Sequence, residues 1–367
     1  MATIITEGKA KINAPKSEKI SKDMGVFYNP AMKLNRDLTI LLLNSSGKKG
    51  MQIADPLAGT GIRSIRMLLE LENGIISSLS INDYSKTAVA EIKKNLKLNE
   101  IKINSRTKIT SKDANIFMLE SKGFDYIDID PFGYPGKFLD TACQRIARGG
   151  ILAVTATDTA ALAGTSPGAC ERKYWATPLR NEFMHETGAR IMIRRVQLSG
   201  MQYEKALIPI FTYNDQHYTR SFFICEKGRN KASDISKNFG YISYCAKCLN
   251  REIGQFPINN CSVCREHNNH AGPLWAGAIN DRKLLGKMLL KTKNPMLQTM
   301  KKESNIPVQW FFDLNNISGR YRVKNPPNIE DAMKKIRKLG HEAERTQFGG
   351  QAIRTNANIT QIADALN

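Results

Sequence analysis

Two short motifs, about 75 residues apart, constrain this chain more than any other feature. Residues 55–61 (DPLAGTG) form a glycine-rich turn after a short apolar run, and such a turn can hold a nucleoside cofactor. Residues 130–133 (DPFG) place an acidic residue before a proline and an aromatic residue. Each motif is ambiguous alone. In this order they favour methyl transfer to an exocyclic amine of a nucleobase.

The spacing of apolar residues predicts the fold class. Residues 50–225 alternate short β-branched runs with amphipathic helical patterns, which is typical of a parallel sheet flanked by helices. Residues 206–213 and 218–225 bracket Asn214-Asp215-Gln216 and predict an antiparallel hairpin. We therefore expect an α/β fold with a doubly wound, mainly parallel seven-stranded methyltransferase sheet. A C-terminal α+β domain with a four-cysteine zinc site should follow.

Individual elements can also be placed. The polar residues 226–236 suggest a linker, so we expect a methyltransferase domain over 1–228 and a zinc-containing domain over 229–367, to which the family resemblance given below assigns tRNA binding. The apolar opening residues 1–5 are too short for a signal peptide and look like a first strand. We predict helices over 62–71, 86–98, 279–290 and 329–339, and strands over 79–81, 107–110, 124–129 and 150–155, with a strand-rich passage around 310–312.

The charge balance points to a polyanionic partner. The chain has 54 Lys and Arg against 34 Asp and Glu, a net charge of +20, and the part after Gly228 carries 22 basic and 11 acidic residues. Such an excess costs self-repulsion and suits a folded basic surface for nucleic acid. A basic proteome or solubility is the alternative explanation. With no apolar run near the ~18 residues of a membrane span, we expect a cytoplasmic protein.

Acidic residues follow successive predicted strands. Asp55 opens the turn in which Gly59 and Gly61 let the backbone approach a ligand. Asp83 follows the next strand, where a carboxylate can accept both ribose hydroxyls of a nucleoside. Asp113-Ala114 comes after the third strand and can read an adenine through the carboxylate and a backbone amide. A structural tight turn is the alternative for the glycine motif, and an ordinary exposed aspartate in a turn is the alternative for Asp83 and for Asp113.

Asp130 and Phe132 are the candidate catalytic residues. The lone pair of an exocyclic base amine is delocalised into the ring, which makes the amine a poor nucleophile. A carboxylate and a backbone carbonyl can accept its two N–H groups and turn that lone pair toward a methyl donor. Phe132 offers a face on which a flipped base can stack. The alternative is a helix N-terminal turn that Asp130 merely caps.

Four of the seven cysteines form a metal-binding pattern. Cys245 and Cys248, then Cys261 and Cys264, are two C-x2-C pairs separated by twelve residues, which suits tetrahedral zinc. Four thiolates close the site, so the metal should be structural rather than catalytic. Nearby Lys247, Arg251 and Arg265 could give this region a phosphate-contacting face.

With these motifs in view, the chain resembles a known family over nearly its whole length: the tRNA (guanine-26-N2)-dimethyltransferases, in their archaeal-like form. The residues that carry the resemblance are 26–30 (VFYNP), 35–37 (NRD), 60–63 (TGIR), 82–83 (ND), 128–133 (DIDPFG), 171–174 (ERKY), the four cysteines, 272–275 (GPLW) and 349–355 (GGQAIRT).

The resemblance implies S-adenosyl-L-methionine as donor and tRNA as substrate. It places Arg36 and Arg63 near the methionine end, Asp83 at the ribose and Asp113-Ala114 at the adenine, and it includes Phe27 in the cofactor site. It also implies Asp130 as the catalytic carboxylate and Phe132 as the stacking partner. The chain departs from the family before TGIR, where Leu57-Ala58-Gly59 replaces the usual Ser-Ala or similar pair.

Two other interpretations compete with double methylation of guanine N2. One is an adenine-N6 or different guanine-N2 methyltransferase acting on DNA or ribosomal RNA, which the single proline before Phe132 disfavours. The other is a zinc-containing RNA-binding protein with an inactive transferase fold, which Asp83, Asp113 and Asp130 oppose.

Overall fold

A computed structural model describes residues 2–15, 28–215 and 217–367 of the chain. Its strands are β1 Ala2–Glu7, β2 Ala10–Pro15, β3 Met51–Asp55, β4 Ile76–Asn82, β5 Thr107–Thr110, β6 Phe124–Ile129, β7 Ile146–Ala156, β8 Lys205–Asp215, β9 Tyr218–Lys227, β10 Phe239–Tyr244, β11 Arg251–Gly254, β12 Asn269–Trp275, β13 Phe312–Asp313, β14 Ala343–Arg345 and β15 Ala352–Thr355.

The helices alternate with the strands through the first half of the chain. They are α1 Lys33–Ser45, α2 Ile62–Glu70, α3 Lys86–Leu98, α4 Ala114–Leu119, α5 Gly136–Arg145, α6 Thr159–Leu162, α7 Pro167–Tyr174, α8 Met184–Met201, α9 Arg229–Ser236, α10 Arg282–Leu289, α11 Pro295–Glu303, α12 Leu314–Tyr321, α13 Ile329–Lys338 and α14 Ile359–Leu366. Among the described residues, no helix combines the length and the apolar character needed to cross a membrane.

A seven-stranded sheet with the order β5-β4-β3-β6-β7-β9-β8 organises the fold. Strands β3 to β7 pair in parallel, with Ile53 opposite both Leu79 and Tyr126. β8 and β9 are neighbours joined by residues 216 and 217 only, a connection that requires antiparallel strands. Apolar residues of the interior strands, such as Ile53, Leu79 and Ile127, are fully buried, as expected when helical connections cover both faces of a parallel sheet. The predicted mainly parallel seven-stranded sheet is confirmed.

The chain divides into two compact units. The first comprises residues 1–156, 199–208 and 222–232, and the second comprises 157–198, 209–221 and 233–367. The first unit also contains the antiparallel β1–β2 hairpin, in which Glu7 is opposite Ala10. The second contains two small antiparallel sheets, ordered β11-β10-β12 and β13-β15-β14. The assignment of methyl transfer to residues 1–228 and of tRNA binding to residues 229–367 stays a prediction.

Most predicted elements agree with the structure, but the predicted linker at residues 226–236 does not. Strands β5 and β6 and helix α3 have the predicted bounds, and α2 and α13 end one residue earlier. Residues 226–236 were expected to be irregular, but β9 extends to Lys227 and α9 occupies Arg229–Ser236. This short helix forms because Ala232 and Ile235 share one face and are buried. The basic helix begins at Arg282 rather than at residue 279, and the passage at 310–312 contributes only the two-residue β13.

Candidate functional site

Four candidate acidic residues lie at one edge of the central sheet. Asp55 ends β3, Asp83 follows β4, Asp113 precedes α4 just after β5, and Asp130 follows β6. These strands are consecutive and parallel in the order β5-β4-β3-β6, so their carboxyl ends meet. This is the edge at which open α/β sheets bind ligands. The sequence prediction that these residues converge is consistent with this topology.

The glycine turn between β3 and α2 has a left-handed backbone. Gly59 and Gly61 have φ values of 54° and 78°, which favour glycine strongly. A Cβ built on Gly61 would also lie 3.2 Å from the Ile92 side chain. The Ala58 amide donates to the Asn82 carbonyl at 3.0 Å, which ties the turn to the end of β4. The tip of the loop is therefore formed by backbone atoms, with no side chain projecting from Gly59 or Gly61.

Asp83 contacts the glycine turn directly. Its Oδ2 accepts from the Gly59 amide at 2.9 Å and its Oδ1 accepts from the Ser85 amide at 2.9 Å. The neighbouring Asn82 is fully buried, and its side-chain Nδ2 donates to the Pro56 and Lys112 carbonyls at 3.1 and 2.9 Å. Asn82 thus joins the loops that follow β3, β4 and β5. Sequence analysis placed Asn82 only within a motif and missed this role.

Asp113 caps helix α4. Its Oδ1 accepts from the Asn115 and Ile116 amides at 2.9 and 3.2 Å, while the residue itself is exposed and Ala114 is buried. The carboxylate is fixed by the helix N-terminus, as expected for an N-cap aspartate. Its exposed position at the sheet edge leaves the residue accessible to a ligand.

Asp130 is held by a guanidinium. Arg63, on α2, forms an ion pair with Asp130 and a second one with Asp128 at 3.3 Å. The Asp130 side chain is 17% exposed and that of Asp128 is buried. Tyr126 donates to Asp128 Oδ2 at 2.5 Å, and Arg63 Nη1 donates to Thr39 Oγ1 at 3.3 Å. Arg63 therefore positions the Asp130 side chain, and the Asp130 carboxylate remains partly exposed to solvent.

Asp55 lies close to the same charges. The pKa of Asp55 is raised to about 7, chiefly by burial: Asp128 and Asp130 also raise it, while Arg63 and a hydrogen bond from Ser64 lower it. Ser64 Oγ donates to Asp55 Oδ2 at 2.7 Å. Asp55 is buried, and its hydrogen bond with Ser64 links the end of β3 to α2 on either side of the glycine turn.

Phe132 and Gly133 lie in the loop that follows β6. Phe132 is 41% exposed, a large fraction for an aromatic side chain. Gly133 has a φ of 75°, a conformation that lets the chain turn immediately after Phe132. An accessible aromatic ring thus adjoins the partly exposed Asp130 carboxylate along the chain.

Arg36 is part of a buried ionic network. Its Nε and Nη2 donate to the two oxygens of Glu7 at 2.6 and 2.5 Å, and its guanidinium lies 5.4 Å from the Tyr28 ring centroid. Arg66 also pairs with Glu7, at 2.9 Å, and with Asp37 at 2.6 Å. Burial alone would raise the pKa of Glu7, but Arg36 and Arg66 lower it overall. Phe27, the remaining cofactor candidate, lies outside the described residues.

The four cysteines converge in the second unit. The Sγ atoms of Cys245, Cys248, Cys261 and Cys264 all lie within 4.8 Å of one another. The Cys245–Cys264 and Cys248–Cys261 Sγ pairs are 3.4 and 3.5 Å apart. Tetrahedral zinc with bonds of about 2.3 Å requires sulfur separations close to these. The residues fit a closed four-thiolate zinc site.

Two turns with the same hydrogen-bond pattern build this cluster. In the first, the Leu249 amide donates to the Cys245 carbonyl at 2.8 Å, and in the second, the Arg265 amide donates to the Cys261 carbonyl at 3.0 Å. Leu249 and Arg265 have φ values of 62° and 65°. Each turn brings the two sulfurs of one C-x2-C pair together. We call these two turns, residues 245–250 and 261–266, the cysteine knuckles.

One residue near the knuckles is not where the sequence suggested. Arg251 was expected on a phosphate-contacting face, but its side chain is buried, pairs with Glu182 at 3.2 Å and lies 4.1 Å from the Phe312 ring centroid. Lys247 is exposed and pairs with Glu266 at 2.7 Å. Arg251 thus stabilises the packing of the second unit because its charge is compensated by Glu182 and by surrounding aromatic rings.

Sequence reasoning also missed two acidic partners in the first unit. Glu7 pairs with Arg36 and Arg66, and no sequence spacing connects these positions. Asp128 pairs with Arg63, and here a signal existed. Asp128 and Asp130 are two residues apart at the end of a strand, so their side chains share one face of the sheet.

The fold and the site define a class: an α/β methyltransferase fold with a glycine turn at the carboxyl edge of its sheet, an acidic-Pro-Phe-Gly tetrapeptide and a four-cysteine cluster that could hold a metal ion. The family described as N2,N2-dimethylguanosine tRNA methyltransferase matches residues 8–367. The chain belongs to this family.

Individual relatives are similar over almost their full length. The tRNA (guanine(26)-N(2)/guanine(27)-N(2))-dimethyltransferase of Aquifex aeolicus is 39% identical, with 98% of this chain and 94% of the relative covered. The tRNA (guanine(26)-N(2))-dimethyltransferase of Methanobrevibacter smithii is 36% identical, covering 99% and 96%. The solved structure of Trm1 from Pyrococcus horikoshii with S-adenosyl-L-methionine superposes with a TM-score of 0.87 at 33% identity, covering 100% of both chains.

Proposed function

We propose that this chain transfers methyl groups from S-adenosyl-L-methionine to the exocyclic N2 of guanine-26 in tRNA. Two successive transfers give N2,N2-dimethylguanosine. The observation that carries the proposal is the Asp130 carboxylate, held by Arg63 and partly exposed at the same sheet edge as the glycine turn. Family membership over residues 8–367 supports the reaction and the substrate.

The sheet edge fits the proposed donor. The left-handed glycine turn offers backbone where a side chain would block a nucleoside, and Asp83 at its base suits the ribose hydroxyls. S-adenosyl-L-methionine, when bound, supplies an electrophilic methyl group on its sulfonium. The chain would hold the donor through Phe27, Arg36, Asp55, Gly59, Arg63, Asp83, Asp113 and Ala114.

Asp130 and Phe132 would prepare the acceptor nitrogen. The flipped guanine stacks on Phe132, and Asp130 accepts one N–H of the exocyclic amine while a backbone carbonyl accepts the other. These hydrogen bonds orient the nitrogen lone pair out of the base plane, and the amine proton passes to the Asp130 carboxylate. Arg63 and Asp128 keep Asp130 from rotating away, so positioning and electrostatics supply most of the rate enhancement.

The cysteine knuckles would hold structural zinc. Four sulfur ligands leave no open coordination position, so the ion stabilises residues 245–266 and takes no part in methyl transfer. Residues 229–367, with a net charge of 22 − 11 = +11, would contact the tRNA backbone, while residues 1–228 carry the chemistry. We place the enzyme in the cytoplasm, with tRNA as its partner.

Nucleoside mass spectrometry tests this function. Purified protein is incubated with unmodified tRNA transcript and S-adenosyl-L-methionine, and the products are digested and mapped by position. We expect N2-methyl- and then N2,N2-dimethylguanosine at position 26. A transcript with adenine at position 26 is the control, and guanine-27 is read in the same experiment. N6-methyladenosine instead would favour the adenine-N6 alternative. No product together with no binding of S-adenosyl-L-methionine would favour an inactive RNA-binding protein.

A further inference from the structure

Trp175, in the second unit, combines a left-handed backbone with a largely exposed side chain. It follows helix α7 directly, with a φ of 55°, and it is 56% exposed. A left-handed backbone is rare for a bulky residue and persists only where the surroundings fix it. The other two tryptophans, Trp275 and Trp310, are 6% and 1% exposed. Trp175 therefore displays a largely accessible indole, unlike the other two tryptophans.

The backbone beneath Trp175 is held firmly. Tyr174 is fully buried, and its hydroxyl donates to Asp158 Oδ1 at 2.6 Å, which anchors the end of α7. Arg194 Nη1 donates to the Trp175 carbonyl at 3.4 Å. The neighbouring residues thus fix the position of Trp175, so the ring is presented from a rigid base.

One face of the indole is already occupied by a cation. The guanidinium of Arg195, a buried residue on α8, lies 4.3 Å from the ring centroid of Trp175. A guanidinium lies over the ring, and 56% of the residue is still accessible to solvent. The guanidinium orients the ring and adds cation–π attraction.

The chain around Trp175 is basic. Arg172 and Arg180, three residues before and five residues after it, are not buried, and Lys173 pairs with Asp158 at 3.4 Å. An exposed aromatic ring, with accessible arginines close to it in the sequence, is a combination that can hold single-stranded nucleic acid, with bases on the ring and phosphates on the cations. A protein partner would be expected to meet a broader apolar patch.

We propose that Trp175 is a stacking platform for an unpaired nucleobase of tRNA. The proposal rests on the proposed function, since it assumes a tRNA substrate, and it names a contact outside the residues that bind the donor or the reacting amine. Stacking of this kind is tolerant of base identity, so the platform would position the RNA without reading its sequence.

The test uses the full chain with tRNA transcript and no methyl donor. Trp175 is the one exposed tryptophan of the three, all of which are described, so intrinsic fluorescence and its quenching by iodide report on it. We expect saturating tRNA to quench the fluorescence and to protect it from iodide, and a blunt, fully paired RNA duplex to do neither. Trp175→Phe should abolish the tRNA-induced change while retaining most of the affinity.

Trp175→Ala should weaken tRNA binding about tenfold, a typical loss when a stacking ring is removed. Ile103→Ala, which truncates a similarly exposed apolar residue in the first unit, should bind as the wild type does. Thermal melting confirms that each variant is folded, and Trp175→Phe provides the fold-preserving comparison. Unchanged fluorescence and iodide access at saturating tRNA, or wild-type affinity in Trp175→Ala, would overturn the platform. Failure of the proposed function shows separately, as absence of methylated guanosine in the wild-type reaction with donor.

Discussion

Arg63 and Asp130 form an ion pair that links helix α2 to the exit of strand β6. The two residues come from the two motifs that constrain the sequence most, the glycine turn and the acidic-Pro-Phe-Gly tetrapeptide. The pairing means that the proposed donor site and the proposed catalytic carboxylate share one charged contact. A change in either residue should therefore affect the position of the other.

Replacing Asp130 separates chemistry from binding. We expect Asp130→Ala to lower methyl transfer by about 10²- to 10⁴-fold, because the acceptor amine loses its hydrogen-bond and proton acceptor. Affinity for S-adenosyl-L-methionine, measured by calorimetry, should stay within a few-fold of wild type. Asp140→Ala removes an exposed carboxylate that accepts from Gln202 at 2.9 Å and serves as the control. Near-normal turnover in Asp130→Ala would refute the assigned role.

Replacing Glu7 should destabilise the protein strongly. Glu7→Gln leaves the buried Arg36 without its two-oxygen partner, and breaking a buried pair in this way typically costs about 3–5 kcal/mol. Affinity for S-adenosyl-L-methionine should fall as well if Arg36 approaches the donor. The control is Glu204→Gln, since the exposed Glu204–Arg229 pair should contribute about 1 kcal/mol or less. Denaturant unfolding measures both, and equal losses would argue against the network.

Asp55 should make stability depend on pH. Its folded pKa is raised to about 7, so between about pH 4 and pH 7 the folded state binds more protons than the unfolded state. The contribution of Asp55 to the free energy of unfolding is then greatest at low pH. This contribution is lost as pH rises through 7, which lowers the free energy of unfolding by up to about 4 kcal/mol. Asp55→Asn keeps an acceptor for Ser64 and should flatten the difference between pH 5 and pH 8. Parallel melting curves for the two proteins at both pH values would contradict this.

Removing the knuckle sulfurs should affect folding before chemistry. Cys245→Ser with Cys248→Ser should reduce bound zinc from one ion per chain to none and lower the melting temperature. Elemental mass spectrometry and calorimetry measure these two quantities. Cys170→Ala, which removes a buried cysteine outside the cluster, should keep its zinc. Unchanged melting after complete metal loss would show that the ion is dispensable.

The helices α10 and α11 should contribute to tRNA affinity through charge. Accessible basic residues are frequent between the start of α10 and the end of α11: Arg282, Lys283, Lys287, Lys291, Lys293, Lys301 and Lys302. Changing Lys283, Lys287, Lys301 and Lys302 to Gln should weaken binding and lower the salt slope by about one for each phosphate that is no longer neutralised. Lys93→Gln with Lys97→Gln on α3 is the control. An unchanged slope would place the RNA elsewhere.

The sequence predicted local elements well because their signals are local. Helix α3 and strands β5 and β6 follow directly from apolar periodicity, and the convergence of the four cysteines follows from their spacing. The Glu7–Arg36 pair could not be predicted, since it joins residues 29 positions apart through tertiary packing. The left-handed backbone of Trp175 also lacks a sequence signal, since the hydrogen bond that its carbonyl accepts from Arg194 joins residues 19 positions apart.

The hydrogen bond from the Gly59 amide to Asp83 has a mechanical consequence. The Asp83 carboxylate holds the loop, and in the proposed donor site the same carboxylate would bind the ribose hydroxyls, so loop position and sugar recognition would depend on one group. Donor analogues lacking a ribose hydroxyl should consequently disturb the loop as well as bind more weakly. Amide hydrogen exchange at the turn would then report on the identity of the sugar.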